Sequence, residues 1–170
     1  LPVEAQAPGA RTTAAMANAF IDRARDCLAS SGTANMVMLR GISQRPDLPA
    51  MGQVYGLKPA AVAAYPMYRG LAKLVGMELL PTGTKVEEEF ETVAEHYSRY
   101  NFFFVHIKGA DAAGEDGDFQ RKVVVIEEVD AHLPRLLGLN PEVIVVTGDH
   151  STPAVLKGHS WHPVPILINA

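Results

Sequence analysis

Cysteine is almost absent from this sequence, and its scarcity excludes a whole class of proteins. The single residue, Cys27, cannot form an internal disulfide, so the chain is not a disulfide-stabilised secreted domain. A lone thiol suits the reducing cytoplasm. Cys27 lies in an Ala-rich helical pattern, where a thiol more often serves as a small apolar core residue than as a nucleophile.

Long apolar runs and clusters of positive charge are also missing. No stretch approaches the roughly 20 apolar residues that a membrane-spanning helix requires, and residues 1–9, rich in Pro and Ala, lack the pattern of a signal peptide. No more than two Lys or Arg residues are adjacent and the formal net charge is −4, which disfavours a nucleic-acid partner. We expect a cytoplasmic protein that binds neither membranes nor nucleic acid, and we predict no oligomeric state.

The composition is that of a globular protein, with 48% apolar and 20% charged residues. Its 170 residues suit one ordinary domain or two small ones. Pro81–Thr84 is the strongest candidate for a hinge, so we expect two parts, residues 10–82 and residues 85–170. The chain has no initiator Met and stops in the strand-like run Ile166–Ala170, so we also expect a fragment of a longer protein.

Short apolar runs separated by helical patterns predict an α/β fold. Strands are predicted at 35–39, 60–64, 77–80, 101–107, 143–146 and 164–168, and helices at 12–28, 66–75, 86–100 and 119–137. The runs at 101–107 and 143–146 are apolar almost throughout, which is typical of buried strands in a parallel sheet. The helix at 86–100 is acidic, and its glutamates are expected mostly on an exposed face: Glu87, Glu88, Glu89, Glu91 and Glu95.

Side chains that can bind metal follow two of these apolar strands. Asp111 and Glu115 come after the strand at 101–107, and Asp149 and His150 follow the strand at 143–146. His159 precedes the last strand. Because α/β proteins place their sites outside the carboxyl ends of parallel strands, we expect these side chains to converge at one edge of a sheet if the strands are parallel neighbours.

The residue types in this set favour divalent metal ions. Carboxylates and imidazoles bind Mn²⁺, Zn²⁺ and related ions, and the lack of cysteine excludes a structural thiolate zinc site. The candidates are more numerous than one ion usually takes from a protein, which favours a pair of ions of the kind used in phosphoryl transfer. Each segment also has a simpler interpretation: Asp111–Glu115 as a helix-capping turn, and Gly148–His150 as a turn with a satisfied polar network.

Three segments resemble the cofactor-independent phosphoglycerate mutases of the archaeal-type branch, within the alkaline phosphatase superfamily. They are Phe104–Asp118, Val146–Pro153 and His159–Pro165. Upstream, 34–41 and 68–77 resemble the inserted domain of the same branch. The resemblance implies part of a smaller α+β substrate cap for residues 10–82. For residues 85–170 it implies part of an alkaline-phosphatase-like mixed or parallel sheet with flanking helices, which is the catalytic metal-binding domain.

The resemblance also implies a role for each candidate ligand. Asp111, the residue at position 115 and His159 would bind one divalent ion. Asp149 and His150 would bind the other, with an Asp and a Ser from an N-terminal part of the longer protein. That Ser would be the nucleophile, which takes the phosphoryl group from 3-phosphoglycerate and returns it to the 2-hydroxyl.

The same resemblance predicts how a small phosphorylated carboxylate would be held. Arg40 and Lys108 are the predicted substrate contacts, because cationic side chains pair with carboxylate and phosphate groups. Glu115 stands where the family usually has a histidine. A carboxylate suits Mn²⁺ or Mg²⁺ better than Zn²⁺, so we expect two divalent ions that are Mn²⁺ or Mg²⁺.

Two alternatives to a mutase stay open at this point. One is a phosphatase or other hydrolase of the same superfamily, in which water resolves the phosphoserine. The other is a non-catalytic binding module that has lost its metals, which the replacement of histidine by Glu115 favours. The serines of this chain lack a turn of the Gly-x-Ser-x-Gly kind, which carries the nucleophile in many hydrolases. We therefore expect the chain by itself to be inactive.

Overall fold

A computed structural model of the protein describes residues 2–39 and 41–170. They form two compact units, one ending at Asp47 and the other beginning at Leu48. The predicted hinge at 81–84 lies inside the second unit. Strands before and after it hydrogen-bond in one sheet. The assignment of residues 10–82 to a cap and 85–170 to a catalytic domain remains a prediction.

The first unit is built on one long helix, α1 (Arg11–Leu28), which follows a 3-10 turn at Pro8–Ala10. Two hydrogen bonds of 2.8 and 2.9 Å join the main chain of Val3 to the side chain of Asn18 and fix the leading segment against α1. The strand predicted at 35–39 is wrong, since the described residues there have no regular secondary structure. They have no ladder partner, and Met38 is 92% exposed.

A parallel three-stranded sheet forms the centre of the second unit. Its strands are β1 (Pro59–Ala63), β2 (Glu78–Leu79) and β3 (Phe102–His106), in the order β2-β1-β3. The central strand β1 is buried along its whole length and pairs with β3 in a register that joins Ala61 to Phe104. The core beside the sheet contains Ala60, Val62, Leu80, Val93 and Tyr100.

Helices flank this sheet, and their ends carry clear local signals. Besides the short α2 (Met51–Tyr55), they are α3 (Pro66–Leu74), α4 (Val86–His96), α5 (Gly109–Asp116) and α6 (Phe119–Leu137). Pro66 occupies the first turn of α3, where its missing N–H costs nothing. Gly117 ends α5 with a φ of 75°, and the Asp118 side chain caps α6 by accepting from Arg121 N at 2.9 Å.

The last two strands form a separate antiparallel ribbon. β4 (Ile144–Thr147) pairs with β5 (Ile166–Asn169), and in the described chain neither pairs with β1, β2 or β3. The condition attached to the predicted convergence, that these strands are parallel neighbours, is therefore not met in the described chain. The loop between β4 and β5 is closed by a Ser151–Ser160 bridge, so the chain turns back and β5 pairs with one edge of β4.

The predicted acidic helix is confirmed as α4, but one of its glutamates is not on an exposed face. Glu89 is 2% exposed. Among the helices of the described residues, none combines the length and the apolar character needed to cross a membrane.

Candidate metal centre

The candidate metal ligand Asp111 lies in the first turn of α5, shortly after the end of β3. Gly109, at the start of that helix, lies so close to α6 that a Cβ atom there would be 3.0 Å from Val125 Cγ1. This close packing of α5 on α6 places the Asp111 side chain, which is 18% exposed, beside the loop that joins β4 to β5. A carboxylate is also favoured in the first turn by the helix dipole.

The loop between β4 and β5 brings two histidines together. Ser160 N donates to Ser151 O at 2.9 Å, and the Ser151 hydroxyl donates to the His162 carbonyl oxygen at 2.9 Å. These bonds draw residues 150 and 159 to the same side of the loop, where the ring centroids of His150 and His159 are 3.8 Å apart.

Asp111, His150 and His159 converge on one point. Each offers a ligand atom, and the three atoms lie within 4.8 Å of one another. His159 Nε2 is 3.5 Å from Asp111 Oδ1, and His150 Nδ1 is 3.9 Å from the same oxygen. One carboxylate and two imidazoles in this arrangement are a donor set that divalent transition metals bind.

The other two predicted ligands lie at the edges of this cluster. Glu115 Oε1 is 3.4 Å from His159 Nε2, and Asp149 Oδ2 is 3.5 Å from His150 Nε2. Following the predicted roles, we call Asp111, Glu115 and His159 the first group and Asp149 and His150 the second. The two groups touch, since His150 also lies beside Asp111 and His159. The donor chemistry of both groups fits divalent ions, with Glu115 adding a hard carboxylate oxygen to the first.

Lys108 supplies positive charge to the same cluster. Its ammonium group pairs with Asp111, lies 3.6 Å from Glu115 Oε2 and is 5.2 Å above the Tyr65 ring. The hydrogen bond to Asp111 raises the pKa of Lys108. Burial works against ionisation of Asp111, but hydrogen bonds from Lys108 and Thr152 outweigh it and hold its pKa below the usual value. The other predicted substrate contact, Arg40, lies outside the described residues.

Sequence reasoning missed an aromatic contact to the second group. The Tyr68 hydroxyl donates to Asp149 Oδ2, and this bond raises the pKa of Tyr68 to about 12. The Tyr68 ring stacks on His106 with centroids 3.6 Å apart. The Nδ1 atom of His106 is buried and has no hydrogen-bond partner among the residues that the structure describes, and burial lowers the pKa of this imidazole. The signal for Tyr68 was its place just after the carboxyl end of β1.

Thr152 was also missed, although it belongs to one of the segments that carry the resemblance. It is buried, and its hydroxyl contacts both Asp111 and His150. Its position two residues after the candidate pair Asp149 and His150 could have indicated that it orients them, because ligand side chains usually need a hydrogen-bond partner of their own.

The comparisons with known proteins come from sequence and from structure. The sequence model of the Metalloenzyme superfamily matches residues 11–170. A protein of Thermosipho melanesiensis named "Probable 2,3-bisphosphoglycerate-independent phosphoglycerate mutase" is 57% identical over 151 residues, which are 89% of this chain and 38% of the relative. A protein of the same name from Aquifex aeolicus is 50% identical over 164 residues, 96% of this chain and 40% of the relative. The chain thus spans about two fifths of the length of these relatives.

Two solved structures have the same fold. The structure of the PH0037 protein from Pyrococcus horikoshii matches with a TM-score of 0.82 and 28% identity, over 95% of this chain and 48% of that one. The cofactor-independent phosphoglycerate mutase from Thermoplasma acidophilum matches with a TM-score of 0.56 and 24% identity, over 88% and 43%. The predicted mixed α/β fold and the resemblance drawn from the sequence are both confirmed. With nearly its whole length matched by the superfamily model, the chain belongs to the Metalloenzyme superfamily.

Proposed function

We propose that the full-length protein is a metal-dependent phosphoglycerate mutase that works without 2,3-bisphosphoglycerate. It would interconvert 3-phosphoglycerate and 2-phosphoglycerate, as the names of its relatives at 50–57% identity suggest. The observation that carries the proposal is that all five candidate ligands, Asp111, Glu115, Asp149, His150 and His159, adjoin one another in a chain so similar to those relatives. A cytoplasmic location, predicted from the sequence, belongs to the same proposal.

Two divalent ions would be held by the two groups of side chains. Asp111, Glu115 and His159 would hold one, and Asp149 and His150 the other. Mn²⁺ or Mg²⁺ is favoured over Zn²⁺ because three of the five donors are carboxylates. When bound, such ions lower the pKa of a serine hydroxyl and neutralise phosphate oxygens.

The chain's own residues would orient the ligands and receive the substrate. Tyr68 donates to Asp149 Oδ2, and the His150 backbone N–H donates to Oδ1 of the same carboxylate at 3.2 Å, so both oxygens of this proposed ligand are oriented by hydrogen bonds. Lys108 already compensates two carboxylates, and its ammonium group could pair with the substrate's phosphate or carboxylate once a metal takes over that charge. Arg40 is the second proposed contact. The nucleophilic Ser would lie outside these 170 residues and would carry the phosphoryl group between the two hydroxyls of the glycerate.

The test is an assay of the full-length protein with MnCl₂ and 3-phosphoglycerate, with 2-phosphoglycerate measured by a coupled enzyme. We expect turnover that EDTA abolishes, and a loss of at least about 100-fold in His150→Ala, the scale on which removal of a metal ligand acts. His132→Ala, a histidine of α6 outside the cluster, is the matched control and should keep wild-type activity.

Other outcomes would identify the alternatives. Release of inorganic phosphate from a generic phosphate ester, without formation of 2-phosphoglycerate, would replace the mutase by a phosphatase. A full-length protein that binds no Mn²⁺, Mg²⁺ or Zn²⁺ in a calorimetric titration would be a binding module instead. We also expect the 170-residue polypeptide alone to be inactive. If it interconverts the two phosphoglycerates with Mn²⁺, the nucleophile lies within it and that part of the proposal fails.

A further inference from the structure

Thr152 lies between two candidate ligands and contacts both with one oxygen atom. Its Oγ1 contacts Asp111 Oδ1 and is 3.1 Å from His150 Nδ1. The residue is 4% exposed, so these two side chains, rather than solvent, satisfy its hydroxyl. The contact also spans the two groups of ligands, because Asp111 belongs to the first and His150 to the second.

The two partners decide where the single hydroxyl proton goes. An ionised carboxylate only accepts hydrogen bonds, so Thr152 donates its proton to Asp111. The same oxygen must then accept from His150, which requires that the imidazole carries its proton on Nδ1. The other ring nitrogen, Nε2, keeps a free lone pair and faces Asp149 Oδ2 at 3.5 Å.

The main chain of Thr152 is held from two helices, which fixes the backbone that carries its hydroxyl. Lys122 of α6 donates from Nζ to the Thr152 carbonyl oxygen at 2.7 Å. Gly114 of α5 approaches so closely that a Cβ atom there would collide with that carbonyl oxygen. Since Asp111 is also on α5, the same helix carries its carboxylate and packs against the main chain of Thr152.

We propose that Thr152 is a positioning residue that fixes His150 in the Nδ1–H tautomer and thereby presents Nε2, beside Asp149, as a metal-ligating atom. The inference rests on the proposed function, since it concerns the same centre. The partner of a metal-binding imidazole sets which nitrogen is free, and removal of such a partner typically weakens metal binding about 10- to 100-fold.

The first experiment needs no metal. Nitrogen-15 NMR of the metal-free, histidine-labelled full-length protein at pH 8 reports which ring nitrogen of His150 carries the proton, and His150→Gln identifies the signal. We expect Nδ1–H in the wild type and in Thr152→Ser, which retains the hydroxyl. Thr152→Val keeps the shape without the hydroxyl and should lose this preference. A wild-type His150 protonated on Nε2 alone overturns the inference, even if Thr152→Val does not fold.

The second experiment measures Mn²⁺ binding to the same proteins by calorimetry. Thr152→Val should bind about 10- to 100-fold more weakly than the wild type, and Thr152→Ser should stay within about threefold. Equal affinity in Thr152→Val and the wild type overturns the inference. If the wild type binds no Mn²⁺, the proposed function fails, whereas the tautomer measured without metal still decides the role of Thr152.

Discussion

Glu89 is a buried carboxyl group whose ionisation should make the protein less stable as pH rises. It lies on α4 and is 2% exposed. Burial raises its pKa from about 4.5 to about 7, although the backbone N–H of Ala64 donates a hydrogen bond that favours the ionised form. The acid is therefore protonated in the folded protein over a range in which it is ionised in the unfolded chain.

The size of the effect follows from the two pKa values. Between pH 4.5 and 7 the folded state holds more protons at this site than the unfolded state, so the free energy of unfolding decreases with rising pH. At about 1.36 kcal/mol per unit of pKa difference, the penalty grows by at most about 2.5 kcal/mol from pH 5 to pH 8. Glu89→Gln keeps an acceptor for Ala64 but cannot ionise, so it should gain that amount relative to the wild type over this range.

Urea denaturation of both proteins at several pH values measures the effect. The free energies of unfolding of variant and wild type are subtracted at each pH, so the contributions of the other titrating groups cancel. Any fixed cost of burying the amide is the same at every pH and does not affect the trend. Glu95→Gln, which neutralises an exposed glutamate on the same helix, is the control and should change by less than about 0.5 kcal/mol across the range. A difference between Glu89→Gln and the wild type that stays constant from pH 5 to pH 8 would refute the reasoning.

Three further changes test contacts elsewhere in the second unit and at the candidate centre. Val62→Ala empties a fully buried position on β1 and should lower the free energy of unfolding in urea by about 2 kcal/mol; a loss below 0.5 kcal/mol would contradict the burial. Gly114→Ala should displace Thr152 and weaken Mn²⁺ binding measured by calorimetry, while Gly70→Ala, whose added Cβ would meet no atom, should not. Arg135→Ala removes a 2.9 Å pair with Glu91 on the exposed faces of α6 and α4, and should cost less than about 1 kcal/mol, and less still in high salt.

Much of the fold was predictable because the signals are local. The apolar run at 101–107 and the helical spacing at 119–137 correspond to β3 and α6, and Pro66 and Gly117 stand at helix ends as their backbone preferences dictate. The strand predicted at 35–39 failed because an apolar run becomes a strand only when another strand offers it a ladder.

For the candidate site, too, the residue types were predictable and their spatial arrangement was not. The donor types Asp111, Glu115, Asp149, His150 and His159 were readable from residues that follow or precede apolar runs. Their convergence was expected from parallel strands, but the structure achieves it by another route, through the antiparallel β4–β5 ribbon and the Ser151–Ser160 bridge that folds its loop. The type of each donor side chain is known from the sequence. The way the donors are brought together depends on pairing between residues that are distant in the sequence.

The sequence by itself determined the superfamily, the donor chemistry of the centre and the main helices and strands, because each depends on residue types at short spacing. Only the tertiary structure decided that β1 and β2 share a sheet with β3, that Glu89 is buried, and that Tyr68 and Thr152 contact the candidate ligands. These features join residues as many as 81 positions apart. They depend on long-range packing, which leaves no periodic pattern in the sequence.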